Sequence, residues 1–112
     1  MNIQIYAHKR DFEVQKAERY FKERRIPYQF VDLNKHAMGL KELESVMRQV
    51  GLKNMIQLSD KDWQSHYVSQ LTDPQAALEA LRDTPKLLKT PIVRNGKLAT
   101  VGFQPVVWAQ WK

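Results

Sequence analysis

The side chains that could do chemistry gather ahead of one helical pattern, at His8, Lys9, Arg10 and Asp11. A histidine there could act as a base near neutral pH. Two cations beside a helix N-terminus could hold an anion, and an aspartate could serve as acid, base or nucleophile. Simpler roles compete with each of these. Asp is a preferred N-cap, because its carboxylate accepts from main-chain N–H groups two or three residues on. Its charge would also oppose an anion held by Lys9 and Arg10. The plain expectation is therefore a cap at Asp11, surface charge at Lys9 and Arg10, and a solvated His8. His36 and His66 are isolated, with no second ligand at metal-site spacing, so no metal and no cofactor is expected. Glu42 and Glu44, like Asp60 and Asp62, lie two apart, which puts them on different sides of a helix and argues against a paired acid and base. The sequence contains no cysteine. That excludes disulfides, thiolate metal ligands and any cysteine nucleophile.

The elements that must position these residues follow from pattern. Ile3 and Ile5 alternate with polar neighbours over Asn2 to Tyr6, a strand by its period of two, and Ala7 to Arg10 reads as a polar loop. Val14, Ala17 and Phe21 recur at helical spacing, predicting an amphipathic helix over Phe12 to Arg25 that Pro27 stops. Tyr28 to Leu33 is a second strand, and its link to the first through a helix predicts a right-handed βαβ unit with parallel strands. Leu40, Leu43, Met47 and Val50 define a helix over Gly39 to Val50, closed by Gly51. Within Met55 to Val68, Asp60 could cap a short helix containing Trp63. Asp73-Pro74 opens another helix carrying Ala77, Leu78 and Leu81, with proline at its permitted first position. Ile92-Val93 and Leu98 to Val101 flank Asn95-Gly96, which favours a hairpin with a type I′ turn. Gln104-Pro105 starts a last helix carrying Val106, Val107, Trp108 and Trp111.

At 112 residues with 43% hydrophobic and 10% aromatic content, the chain is expected to form one packed domain over residues 1–112, with helical segments inserted at about 39–84. No apolar run has membrane-spanning length and no apolar signal core opens the chain, so a soluble cytoplasmic protein is expected. The net charge of +6 would suit an acidic partner. No nucleic-acid-binding motif accompanies it, so specific nucleic-acid binding is not expected. The basic residues Lys16, Arg19, Lys22 and Arg24 read as a solvated helix face, the tryptophans as core, and nothing calls for more than a monomer.

Several separated stretches carry a family likeness. Leu-Leu-Lys-Thr-Pro-Ile-Val at Leu87 to Val93, followed by Gly96-Lys97 and Val101-Gly102-Phe103, resembles the closing signature of the arsenate reductase and Spx (ArsC-like) family. Ile5-Tyr6, a five-residue interval and a helix containing Gln15 to Arg19 are similar to its first strand, active loop and first helix. Ile26-Pro27-Tyr28 resembles its helix-to-strand join, and Met55 to Leu58 before Trp63 resembles its central helical segment. The resemblance implies an α/β, thioredoxin-like fold: β-α-β, a helical insertion, a β-hairpin and a C-terminal helix, with a mixed four-stranded sheet flanked by helices. It also implies a cis peptide before Pro91, facing the active site.

At the family's active positions this chain departs from the pattern. The reactive cysteine position is Asp11, and the second redox cysteine position of Spx-type members is Val14. Family arginines that hold an oxyanion align with Ser59 and Thr90. A carboxylate does not replace a thiolate nucleophile, and without guanidinium forks the anion clamp is missing. The expectation is a cysteine-less member without reductase chemistry, acting as a protein-binding or regulatory module. By family analogy its partner would be another protein, such as the C-terminal domain of the α subunit of RNA polymerase. The alternative is an enzyme remnant that keeps a groove for glutathione or a similar peptide. Either reading would use His8, Lys9, Arg10, Asp11, Thr90, Pro91 and Ile92 as contacts.

Overall fold

A computed structural model describes residues 1–57 and 73–111. Four strands form one sheet: β1 (Ile3–Ala7), β2 (Tyr28–Asp32), β3 (Ile92–Asn95) and β4 (Leu98–Val101). Their order across the sheet is β2-β1-β3-β4, with β2 parallel to β1 and the other pairs antiparallel. The helices are α1 (Phe12–Glu23), α2 (Leu40–Val50), α3 (Pro74–Asp83) and the single turn α4 (Pro105–Trp108), with short 3-10 turns at Lys53–Met55 and Pro85–Leu87. Ser59, Asp60, Asp62, Trp63 and His66, and most of the segment expected over Met55 to Val68, lie outside the described residues. No described helix is long and apolar enough to cross a membrane.

Alternation along the strands sorts side chains into two layers. Ile3, Ile5 and Val93 meet Ala17, Tyr20 and Phe21 of α1, together with Trp108 and Trp111. Tyr6, Ile92, Ala99 and Val101 meet Leu43 and Val46 of α2 and Leu78 and Leu81 of α3 on the other face. Trp108 and Trp111 are core residues, whereas Val106 and Val107 of the last helix are exposed.

Three boundaries differ from the sequence reading, each for a local reason. α1 ends at Glu23 because Arg25 takes a left-handed φ of 57°. Ile26 N then donates to Phe21 O and Arg25 N to Lys22 O, the two bonds of a Schellman closure. The hairpin turn is Gly96-Lys97, since Asn95 pairs with Leu98 in the ladder. Only Gly96 has a positive φ, of 62°, so the type I′ turn expected at Asn95-Gly96 is not formed. The last helix stops after one turn, and Trp111 reaches the core from the residues beyond it.

Candidate functional site

The loop after β1 and the start of α1 meet the segment before β3. Asp11 has extended backbone, and its Oδ1 accepts from Val14 N at 3.0 Å. It is the helix cap, as its residue type predicts. Val14, which the resemblance aligns with the second cysteine position, is fully buried and faces the interior.

His8 is not merely solvated. Its Nε2 lies 3.1 Å from Leu88 O, and a carbonyl only accepts, so Nε2 carries the proton. The loop is thereby tied to the chain just ahead of Thr90, whose bond to Pro91 is cis. Asn34 holds the other side of the loop, its side-chain amide donating to His8 O. Gly102 completes the connection: its N–H donates to Pro91 O at 2.8 Å. At φ +83°, a Cβ on Gly102 would stand 3.8 Å from Glu13 Oε2 on the first turn of α1.

The candidate cations part company. Arg10 turns to α1, where its Nε lies 3.0 Å from Glu18 Oε1, and stacks 4.0 Å from the Phe30 ring centroid. Its charge is paired although its side chain stays exposed, and Lys9 is exposed beside it. Ile92 is fully buried and pairs with Tyr6 in β1, so its side chain offers no contact. Thr90 is half-buried and presents a hydroxyl where an oxyanion site would need a guanidinium. Its own N–H and C=O have no hydrogen bond among the described residues. No group of three His, Cys, Asp or Glu among the described residues is arranged to hold a metal.

Sequence reasoning missed the aromatic side of this surface. Phe12, directly after the cap, is 74% exposed. Lys16 Nζ stands 5.3 Å from its ring centroid and 4.8 Å from that of Phe103, a cation held by ring faces. The signal was an aromatic at a helix position next to the cap, outside the apolar stripe of Val14, Ala17 and Phe21.

Two polar clusters elsewhere were also missed. Glu18 binds Arg10 through one oxygen and accepts from Tyr28 Oη at 2.6 Å through the other. Burial and this carboxylate push the Tyr28 phenol up to about 12. On the opposite face Arg94 Nη1 donates to Gln4 Oε1 and Tyr6 Oη, both at 3.2 Å, and Tyr6 Oη donates to Glu42 Oε2 at 2.9 Å. Burial raises the Tyr6 phenol, while the hydrogen bond from Arg94 works against that rise. An arginine at alternate spacing within a β-branched strand was the available hint for this second cluster. Both Glu42 and Glu44 are occupied structurally, the latter with Arg48 one helical turn on.

Comparisons with known proteins agree with this architecture. The ArsC family profile matches residues 6–111. The fold is similar to a protein from Bacteroides fragilis described as ArsC family related, at 22% identity and a TM-score of 0.80, covering 98% of this chain and 97% of that one. It is similar to arsenate reductase from Vibrio cholerae, at 22% identity and a TM-score of 0.75 over 94% of this chain and 92% of that one. An arsenate reductase (ArsC) related protein from Brucella melitensis is 21% identical, with a TM-score of 0.65 over 99% of this chain and 94% of that one. No curated protein matches the chain significantly. A family profile that spans nearly the whole chain, on a thioredoxin-like sheet with a cis-proline, makes this chain a cysteine-less member of the ArsC family.

Proposed function

We propose that the chain is a non-catalytic, protein-binding member of its family that acts in the cytoplasm. The observation that carries this reading is Asp11. At the family's nucleophile position it is committed as a helix cap to Val14 N, and no cysteine elsewhere in the chain could substitute. Arg10 is turned away to Glu18, which leaves no anion clamp among the described residues of this loop. Meanwhile an exposed aromatic, Phe12, stands beside the vacated chemistry, and aromatics are enriched where protein partners dock. The C-terminal domain of the α subunit of RNA polymerase is the first partner to try, by analogy with Spx-type relatives.

A second reading rests on Thr90. Its unbonded N–H and C=O next to the cis-proline could pair with an extended peptide such as glutathione, with an external thiol supplying the chemistry. An amide NMR titration of labelled protein with glutathione and with the polymerase domain, in separate tubes, tests both. Shifts across one contiguous face including Phe12 with the polymerase domain alone support the binding module. Shifts confined to Ala7 to Asp11 and Thr90 to Val93 with glutathione support the remnant groove, and thiol-dependent turnover by purified protein would overturn the non-catalytic reading.

A further inference from the structure

The outer edge of β4 is where main-chain hydrogen bonding stays open. Gly102 N donates to Pro91 O, adjoining the Ile92–Val101 pair of the antiparallel ladder. Groups facing the partner strand recur every second residue in such a ladder. Thr100 and Leu98 therefore face β3, and Ala99 and Val101 face outward. The Val101 carbonyl bears out that direction, because it accepts from Gln104 Nε2 at 3.2 Å. The N–H and C=O of Ala99 and the N–H of Val101 have no hydrogen bond among the described residues. Yet Ala99 is only 5% exposed and Val101 9%, and main-chain groups so nearly buried are rarely left unpaired.

A cavity of about 500 Å³ lies along this edge. Val50 at the end of α2 and Val107 of α4 line it, together with Asn54 and Lys89. Among the described residues no aspartate or glutamate lines the cavity, and Lys89 has no ion pair among them. The described lining thus combines a strand edge with open donors and acceptors, two valines among polar side chains, and one lysine without an ion pair among the described residues.

From this we infer that the groove receives an extended segment of a partner protein as an added strand on Ala99 and Val101, with a carboxylate of that segment on Lys89 and an apolar side chain between Val50 and Val107. Only extended backbone matches donors and acceptors that alternate along a strand edge, and the charge of the lining selects an acidic segment. A second copy of β4 fits less well, because Leu98–Val101 brings no carboxylate to Lys89. The groove uses none of His8 to Asp11 and not Pro91, so its failure leaves the reading above untouched.

The test is selection of a phage-displayed library of random decapeptides on the intact chain. Enriched sequences are expected to combine β-branched residues with Asp or Glu. A synthetic peptide of that sequence should shift the amide signals of Ala99 and Val101 and bind Lys89→Glu at least tenfold more weakly. Ala99→Pro removes an outward N–H and no ladder bond, and should abolish binding. Where that variant does not fold, Lys89→Glu and the amide shifts decide. No enrichment, neutral or basic consensus sequences, or binding indifferent to Lys89→Glu would overturn the proposal. So would self-association in sedimentation that Ala99→Pro removes, which would give the edge to a second copy.

Discussion

The indole N–H of Trp108 donates to the hydroxyl of Thr100 across 2.7 Å, with both residues buried. This bond joins the last helical turn to β4 from the α1 side of the sheet. The same indole packs against the rings of Tyr20 and Phe21, each with centroids 5.1 Å away, and of Phe103 at 5.5 Å. Thr100→Val keeps the shape and strands the indole N–H, so a loss of about 2 kcal/mol is expected. Urea unfolding followed by tryptophan fluorescence checks it, and Thr100→Ser should retain most of the stability.

Arg25 occupies a left-handed conformation at the end of α1. A residue with a Cβ is strained there by about 1–2 kcal/mol, and glycine is not. Arg25→Gly is therefore expected to stabilise the fold by roughly 1 kcal/mol, read as a higher urea midpoint at unchanged slope. A drop in midpoint would show that the side chain contributes more than its backbone costs.

The Tyr28 phenol is held up at about 12 by burial and by Glu18. Its folded value lies above the ordinary 10, so the native state binds this proton more tightly than the unfolded chain does. That contribution to stability is complete below about pH 10 and is lost as pH rises towards about 12. Tyr28→Phe should remove this part of the alkaline decline, measured as the difference in urea midpoint between the two proteins over that interval. Identical decline in both would refute it.

Arg94 supports Gln4 and Tyr6 from the centre of the sheet. Arg94→Met should cost about 2 kcal/mol through the hydrogen bonds to Gln4 and Tyr6 that it removes. It should also raise the Tyr6 phenol further, because the hydrogen bond that opposes the rise is gone. Tyrosine-selective NMR across an alkaline titration reads that shift directly, and a Tyr6 titration that does not move would contradict it.

Asp11→Ala should weaken the fold by about 1 kcal/mol through loss of the cap. Asp11→Cys is more informative, since a thiol at this helix start should ionise below the usual value of about 8.5. Alkylation rate against pH gives the value, and a thiol with an ordinary pKa would show that the helix start no longer supports the family's chemistry.

Most of the scaffold was legible because its signals are local. The period of two in Ile3 and Ile5, the helical spacing of Val14, Ala17 and Phe21, and the Asp-Pro start of α3 each fixed an element without tertiary help. The Asp11 cap was readable for the same reason, since its partner lies three residues away. The turn was misread because Asn95 and Gly96 both suit positive φ, and only the register of Asn95 with Leu98 decides which residues turn. The site's finer arrangement depended on distant partners. His8 finds Leu88 across 80 residues and Arg94 finds Tyr6 across 88, and no pattern in one dimension announces such meetings. The exposure of Phe12 likewise follows from where α1 sits on the sheet.

Asp11 at the start of α1 also sets what this fold can sense. A thiolate at a helix start can make the fold a sensor, because its oxidation to a disulfide or a sulfenic acid removes a negative charge that the helix dipole was holding. A carboxylate in the same place has no such redox couple. At this position the chain therefore offers no thiol through which the redox state of the medium could act.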